Sequence, residues 1–291
     1  MTTPAQPIHP PLNKEATLRL IRLGLAEDFA HGPDATSQAA IDEDAVLTAQ
    51  VVPRQAGTVA GLDVLGWTMH EISPAVDVSV HAADGDQVTA GDCLATVSGP
   101  ARAILPAERT ALNLLTYASG IATGTYAWTK VLSGTRARVR DSRKTLPGYR
   151  DLAKYAVRCG GGVNHRMSLG DAVLIKDNHV ASVGSAAGAY RRATKTFPDL
   201  PIEVEVDDLA QLTEVLALKP NLVMLDNFGV EETRVAVARR DALSPATLLE
   251  SSGGLSLHRA RAYADTGVDF LAVGALTHSV TILDIGLDAL P

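Results

Sequence analysis

Apolar positions recur at helical spacing over residues 14–30, KEATLRLIRLGLAEDFA, where Leu18, Ile21, Leu25 and Phe29 fall on one side. The stretch VLTAQVVPRQAGTVAG then alternates and breaks at Gly57 and Gly61, as strands and turns do. VDVSVHAADGDQVTAGDCLATVSGPARAIL reads as short strands joined by turns at Asp84-Gly85 and Ala90-Gly91-Asp92. From Pro106 to Leu132 the pattern is helical again. Pro106 suits a first turn, Glu108 suits the positive end of the helix dipole, and the small residues of ASGIATGT let another element approach closely.

After residue 135 the rhythm changes. Short β-rich runs recur at 137–140 (ARVR), 172–176 (AVLIK), 202–206 (IEVEV), 222–225 (LVML), 247–250 (TLLE) and 270–273 (FLAV), with helical patterns such as DLAQLTEVLAL and LHRARAYADT between the later ones. Repeated β-then-α units predict a parallel sheet with right-handed crossovers, of six strands with a possible seventh near Val163. Nearly every run ends in a polar group: Asp141-Ser-Arg-Lys, Lys176-Asp-Asn-His, Glu205, Asp226-Asn227, Glu250-Ser-Ser-Gly-Gly and Gly274. A doubly wound sheet gathers its ligand at one switch point, whereas a barrel builds its site from the carboxyl ends of many strands. The pattern therefore predicts an α/β barrel, an incomplete one.

Composition narrows the class. At 291 residues, with 46% hydrophobic and 20% charged residues, the chain is long enough for two domains or one large α/β unit. A formal net charge of −7 argues against broad nucleic-acid binding. Two cysteines, Cys93 and Cys159, without C-x-x-C spacing, predict free thiols in a reducing cytosol, not a disulfide framework or zinc site. The start MTTPAQPIHPPLN lacks the charged and apolar regions of a signal peptide and reads as a flexible tail over 1–13. No apolar run reaches membrane-spanning length, so the expected location is cytoplasmic.

Against that acidic background, residues 139–166, VRDSRKTLPGYRDLAKYAVRCGGGVNHR, hold seven arginines and lysines opposed only by Asp141 and Asp151. Arg143, Lys144, His165 and Arg166 follow strand ends or the glycine run. Lys176 ends an apolar strand and so needs a carboxylate neighbour or an anionic ligand. Arg150, Lys154 and Arg158, four apart, read as a solvated helix face or an interface. The alternation of IEVEV puts Glu203 and Glu205 on one face, and Glu205 and Asp226 end adjacent strands. Such carboxylates suit ribose hydroxyls, a water-shelled Mg²⁺ or acid–base work, or else a salt bridge to Lys176. The turns SSGG (251–254) and VGALTHS (273–279) follow the last two strands, where barrels bind phosphate. Converging cations, a phosphate loop and two carboxylates point to a polyanionic, sugar-phosphate-like substrate. His9, His31, His70, His81 and His258 show no ligand spacing, His179 reads as a helix cap or a positioner of Lys176, and nothing marks Cys159 as a nucleophile.

The segments AERTALNLL, SGIAT, RDSRKTLPG, KYAVRCGGGVNHR, GDAVLIKDNH, EVEV, LDNF, ESSGGL and GVDFLAVGALTHS, in that order from about residue 14 to the end, resemble the quinolinate phosphoribosyltransferase family. The resemblance implies an N-terminal α/β sandwich over 14–115, joined by 280–291 packing back on it, and an incomplete six- or seven-stranded α/β barrel over 116–279. It implies transfer of phosphoribosyl from phosphoribosyl pyrophosphate to quinolinate with decarboxylation, using Mg²⁺, in a homodimer or higher oligomer with shared sites. By motif, Arg109 is donated across the interface, and Arg143, His165, Arg166 and Lys176 hold the quinolinate carboxylates. Lys144 and His278 face pyrophosphate, Glu205 and Asp226 meet the ribose and the metal shell, and Ser252, Gly253 and Gly274 hold the 5′-phosphate or its surroundings. Three other readings remain open: a lyase forming a Schiff base on Lys176, a transferase for a monocarboxylate such as nicotinate, and a non-catalytic binding protein. Surplus arginines favour the dicarboxylate.

Overall fold

The computed structural model describes residues 10–291. In chain order they form α1 (Lys14–Asp28), α2 (Ala35–Ala40), β1 (Val46–Pro53), β2 (Gly57–Thr58), α3 (Asp63–Ile72), β3 (Asp77–Val80), β4 (Gln87–Val88), β5 (Ala95–Pro100) and α4 (Ala101–Leu132). There follow β6 (Arg138–Arg140), α5 (Arg150–Cys159), β7 (Val173–Ile175), α6 (Asp177–Val183), α7 (Ala186–Thr196), β8 (Ile202–Val206), α8 (Leu209–Leu216) and β9 (Leu222–Asp226). Last come α9 (Val230–Leu243), β10 (Leu248–Ser252), α10 (Leu257–Ala264), β11 (Phe270–Ala272), α11 (Ala275–His278) and β12 (Ile285–Ala289). The chain divides into two compact units. The first takes residues up to Tyr126 with Thr145–Gly161 and Leu276–Pro291; the second takes Ala127–Lys144 and Gly162–Ala275. The return of the C-terminal segment to the first unit begins at Leu276, the first division falls after Tyr126, and α5 belongs to the first unit.

In the first unit an antiparallel sheet runs β12-β1-β5-β3, with β12 pairing along β1 from Ala49↔Ala289 to Pro53↔Ile285. Its core joins Val51, Val97 and Ile285 of the sheet to Ile104, Leu112 and Leu115 of α4. A second cluster joins Ile21 of α1, Val64 of α3, Ala118 and Ile121 of α4, and Leu152 and Val157 of α5. The expected tail lies, up to residue 9, outside the described residues, and so does His9. Beyond that it is not loose. Leu12 is buried in the second cluster, and Asn13 Oδ1 accepts the Ala16 N–H at 3.2 Å as the N-cap of α1.

Three details of α4 and α5 differ from or sharpen the sequence reading. Pro106 lies inside α4, which begins at Ala101, so it is not in the first turn. Burial of Ala101, Ala103 and Ile104 holds the additional turn, as does Arg102, whose Nε donates to Ile41 O at 2.9 Å. These offset the one backbone bond a proline removes. The small residues of α4 do admit a close neighbour: a Cβ on Gly120 would lie 2.4 Å from Thr281 O. On α5, Lys154 is fully buried, not part of a solvated face, because Leu152, Ala153, Ala156 and Val157 leave little of this short helix exposed.

The second unit carries six parallel strands in the order β6-β11-β10-β9-β8-β7. The possible seventh near Val163 is a single parallel bridge to Arg140. Among the described residues no ladder joins β7 back to β6, so the barrel is open. Register fixes what sits beside what at the strand ends: Ser252 pairs with Asp226, and Glu205, Met224 and Glu250 line up across β8, β9 and β10. At the opposite end, Arg240 of α9 is fully buried and donates from Nη1 to Thr247 O at 3.0 Å and to Asp269 Oδ2 at 2.8 Å. Asp269 Oδ2 also accepts the Leu249 N–H at 2.9 Å, and Arg136 pairs with the other oxygen. This clamp ties a helix to the starts of β10 and β11. Removing Arg240 takes one of the two cations from Asp269, leaves Thr247 O without its donor and opens a cavity at a fully buried side chain, so Arg240→Ala is expected to lower stability by about 3–5 kcal/mol in urea denaturation. A loss under about 1 kcal/mol would show the clamp to be idle.

Candidate active site

The carboxyl ends of the barrel strands bring together most of the residues singled out from the sequence. Arg143, Lys144, His165, Arg166, Lys176, Glu205, Asp226, Ser252, Gly253 and Gly274 belong to the second unit. Arg109 and His278 belong to the first. Arg109 is 66% exposed on α4, with the Glu108 carboxylate 4.0 Å away. His278 is exposed at the end of α11, its Nδ1 2.8 Å from Ser279 Oγ.

Arg143 and Arg166 define the anion-binding character of the site. The Nε of each is buried and has no hydrogen-bond partner. Burial depresses the pKa of Arg166, and the charge of Arg143 depresses it further, so the two guanidinium groups repel each other within a partly desolvated space. Arg166 Nη1 is anchored on Ala172 O at 2.9 Å. An oxyanion placed between the two groups satisfies both orphaned donors and removes the repulsion.

Lys176, at the end of β7, donates to Glu205 Oε2 at 2.5 Å. The salt bridge foreseen for these residues is present, but Lys176 is 45% exposed and thus only half-buried. Its backbone N–H donates to His179 Nδ1 at 2.9 Å, which gives His179 the capping role expected of it. The Lys144 N–H donates to Ser142 Oγ at 3.1 Å, and its side chain is exposed.

His165, singled out from the sequence as a carboxylate holder, lies deep in the strand-end group. It is buried, its Nδ1 accepts the Arg166 N–H at 2.7 Å, and its Nε2 lies 2.9 Å from Glu203 Oε2. An accepting Nδ1 leaves the proton of the neutral ring on Nε2, on the side of the ring nearest Glu203. Nδ1 is thus taken by the backbone, while Nε2 lies among the carboxylates of Glu203 and Glu250. Behind His165, Arg140 Nη1 donates to Glu250 Oε2 at 2.8 Å. Burial raises the carboxyl groups of Glu203, to about 7, and Glu250, to about 8, the latter also through the charge of Glu203. Neither Oε1 meets a protein donor. One proton retained on the pair supplies it, and Arg140 then balances the remaining charge.

Two contributors escaped the sequence reading: the Arg140–Glu250 pair and Asn227. Asn227 has φ 59°, a conformation that asparagine tolerates better than most residues. Its N–H donates to Ser252 O at 2.9 Å, and its Nδ2 donates to Asp226 Oδ2 at 2.6 Å, which orients the carboxylate. Gly253, at φ 91°, makes room: a Cβ there would sit 2.1 Å from Asn227 Oδ1. The signal for Asn227 was its place in a strand-end turn, where this residue type adopts positive φ. Cys159 is no nucleophile, because burial and the charge of Asp84 push its thiol up to about 12.

Two outcomes follow from this geometry. Gly253→Ala combines a positive φ with a clash and is expected to cost about 1–3 kcal/mol in urea denaturation; an unchanged midpoint would contradict the packing of Asn227. The raised Glu203–Glu250 pair binds a proton in the native state where unfolded carboxyls have lost it. Its contribution to stability is therefore full below the ordinary value of 4.5 and is lost as pH rises toward about 8. Between pH 5.5 and 8.5 the wild-type urea midpoint should fall more than that of Glu250→Gln. Parallel curves would argue against the shared proton.

Comparison with known proteins places this geometry. Residues 34–119 match the family described as "Quinolinate phosphoribosyl transferase, N-terminal domain", and residues 121–288 match its "C-terminal domain". The chain is 55% identical over 277 residues to the nicotinate-nucleotide pyrophosphorylase [carboxylating] of Mycobacterium leprae, covering 94% of this chain and 97% of that one. It is 38% identical over 272 residues to a probable enzyme of the same name from Bacillus subtilis, covering 93% and 92%. The solved nicotinate-nucleotide pyrophosphorylase of Francisella tularensis superposes with a TM-score of 0.89 at 38% identity, over 96% of this chain and 98% of that one. With both of the family's domains present in order along its length, the chain belongs to the quinolinate phosphoribosyltransferase family.

Proposed function

We infer that the protein transfers phosphoribosyl from phosphoribosyl pyrophosphate to quinolinate with loss of CO₂, yielding nicotinate mononucleotide and pyrophosphate for NAD synthesis. The observation that carries this reading is the mutually repelling pair Arg143 and Arg166, each with a buried N–H lacking an acceptor. Together with Lys176 they match a substrate with two adjacent carboxylates; a monocarboxylate leaves one of these cations without a role. The Schiff-base reading is disfavoured, since Lys176 is half exposed and bound to Glu205 at 2.5 Å, not desolvated against apolar groups.

In the proposed reaction the pyridine nitrogen forms a bond to ribose C1 as the C1–O bond to pyrophosphate breaks. Fixing both carboxylates on Arg143, Arg166 and Lys176 aims that nitrogen and lowers the entropic part of the barrier. Lys144 and His278 offset charge developing on the leaving group, and Ser252, Gly253 and Gly274 hold the 5′-phosphate. Once ribosylated, the ring is cationic. The bond from C2 to its carboxylate then breaks, CO₂ leaves, and the electron pair stays on C2 until a proton is taken up. No protein nucleophile is needed.

The donor set fits Mg²⁺. Glu205 and Asp226 offer hard carboxylate oxygens, each engaged at one oxygen (by Lys176 and by Asn227), with the other oxygen left for the water shell. When bound, the ion would neutralise charge on pyrophosphate. We also assign the protein to a homodimer or higher oligomer in which the partner delivers Arg109, a reading supported by the exposure of that side chain. No helix among the described residues is long and apolar enough to cross a membrane.

An assay with quinolinate and phosphoribosyl pyrophosphate, with nicotinate as competitor, should yield nicotinate mononucleotide from quinolinate alone. Arg143→Ala and Lys176→Ala should each lower kcat/KM about a hundredfold or more, as expected for a lost charge-assisted pair of about 3 kcal/mol. Wild-type turnover in either folded variant would refute the assignment. Co-expressed Arg109→Ala and Lys176→Ala chains should recover about a quarter of wild-type activity, since half of randomly formed dimers are hybrids with one intact site. No recovery would remove the shared site.

A further inference from the structure

The buried groups behind the anion pocket have no part in the reaction as described, yet they converge on one short segment. Arg140 Nε donates to Asn164 O at 3.3 Å while its Nη1 holds Glu250 Oε2 at 2.8 Å. The His165 N–H donates to Asp141 Oδ1 at 2.7 Å, and Asn164 Nδ2 donates to Asp141 Oδ2 at 2.5 Å. The His165 ring, set between Glu203 at 2.9 Å and Glu250 at 3.8 Å, accepts the Arg166 N–H. Residues 164, 165 and 166 are thus each tied to the barrel interior, and the last of them carries one of the two orphaned guanidinium donors. Glu250, with no exposed surface, is common to both routes: it anchors Arg140 directly and lies against His165.

We propose that Glu250 is a positioning residue for substrate binding: by holding Arg140, and by lying against the His165 ring, it fixes the backbone of 164–166 so that Arg166 presents its free N–H to a substrate carboxylate. The proposal rests on the quinolinate reading of the pocket. It treats the cluster as a scaffold and not as a metal site, although His165, Glu203 and Glu250 offer donor atoms within 4.8 Å of one another. Arg140 already occupies Glu250 Oε2, and the charges of Arg140, Arg166 and Lys176 all act on Glu203. A divalent ion would add two more positive charges to that group. Glu250 does not touch substrate in this account. It acts through Arg166, and that route separates it from a residue that merely holds the fold.

The test is a double-mutant cycle between Glu250→Gln, which keeps the shape and replaces the carboxyl group held by Arg140 with an amide, and Arg166→Lys, with KM measured separately for quinolinate and for phosphoribosyl pyrophosphate. Glu250→Gln should raise the quinolinate KM about tenfold and leave the phosphoribosyl pyrophosphate KM within about twofold. In the Arg166→Lys background, adding Glu250→Gln should change the quinolinate KM by less than about twofold, because the group being positioned is already altered. Should Glu250→Gln not fold, Arg140→Lys breaks the same link from the other side and should show the same split. An unchanged quinolinate KM, an equal rise in both constants, or effects that multiply in the double variant would each overturn the positioning role. Wild-type enzyme inert toward quinolinate would instead remove the functional reading, and this proposal with it.

Discussion

Two guanidinium groups held close enough to repel each other, each with a buried Nε–H that no acceptor among the described residues meets, are the costly element on which the rest of the second unit depends. Neither Arg143 nor Arg166 gains from its neighbour. The arrangement persists because the surrounding structure holds the chain there regardless: Asp141 clasps Asn164 and His165, and Ala172 O fixes one arm of Arg166. In the proposed reading, an anion bound between the two groups would relieve this repulsion. On that reading, affinity for a doubly negative ligand is prepared before binding and is not created by it.

The barrel keeps its two ionic systems apart along the strands. At the strand starts, Arg240 and Asp269 are saturated with protein partners, and their work is to hold α9, β10 and β11 together. Toward the strand ends, several groups are left incomplete: the arginine Nε atoms, and the Oε1 atoms of Glu203 and Glu250. Full satisfaction at one end and deliberate deficiency at the other is how a rigid scaffold supports a reactive face. Asn227 shows the same economy on a small scale, accepting an uncommon backbone conformation so that Asp226 is oriented.

Much of this was legible in the sequence because strands of a parallel sheet write themselves as short apolar runs. All six runs read after residue 135 fall on observed strands, within two residues of their ends. The polar residues closing them located the site for the same reason. What failed to show were features set by three-dimensional packing. The short helices α2 and α3 carry too few turns to impose a period. Pro106 signals a helix start, but burial of the turn before it extends the helix backward. Lys154 looked solvated because its neighbours at spacing four are arginines, and only tertiary structure reveals its burial. His165 was identified as belonging to the site, but which way its ring nitrogens turn depends on Glu203, a residue 38 positions away in sequence whose approach no local pattern encodes.

The pairing of β12 with β1 has a consequence for how the chain comes into being. The first unit is assembled from residues up to Tyr126, the piece Thr145–Gly161 and the segment Leu276–Pro291, and β1 gains its second partner strand only from residues Ile285–Ala289. During translation the edge of β1 stays open while the whole barrel segment emerges from the ribosome. The first unit begun is thus the last completed, and a chain truncated a few residues early would expose an unpaired strand edge of the kind that recruits other chains.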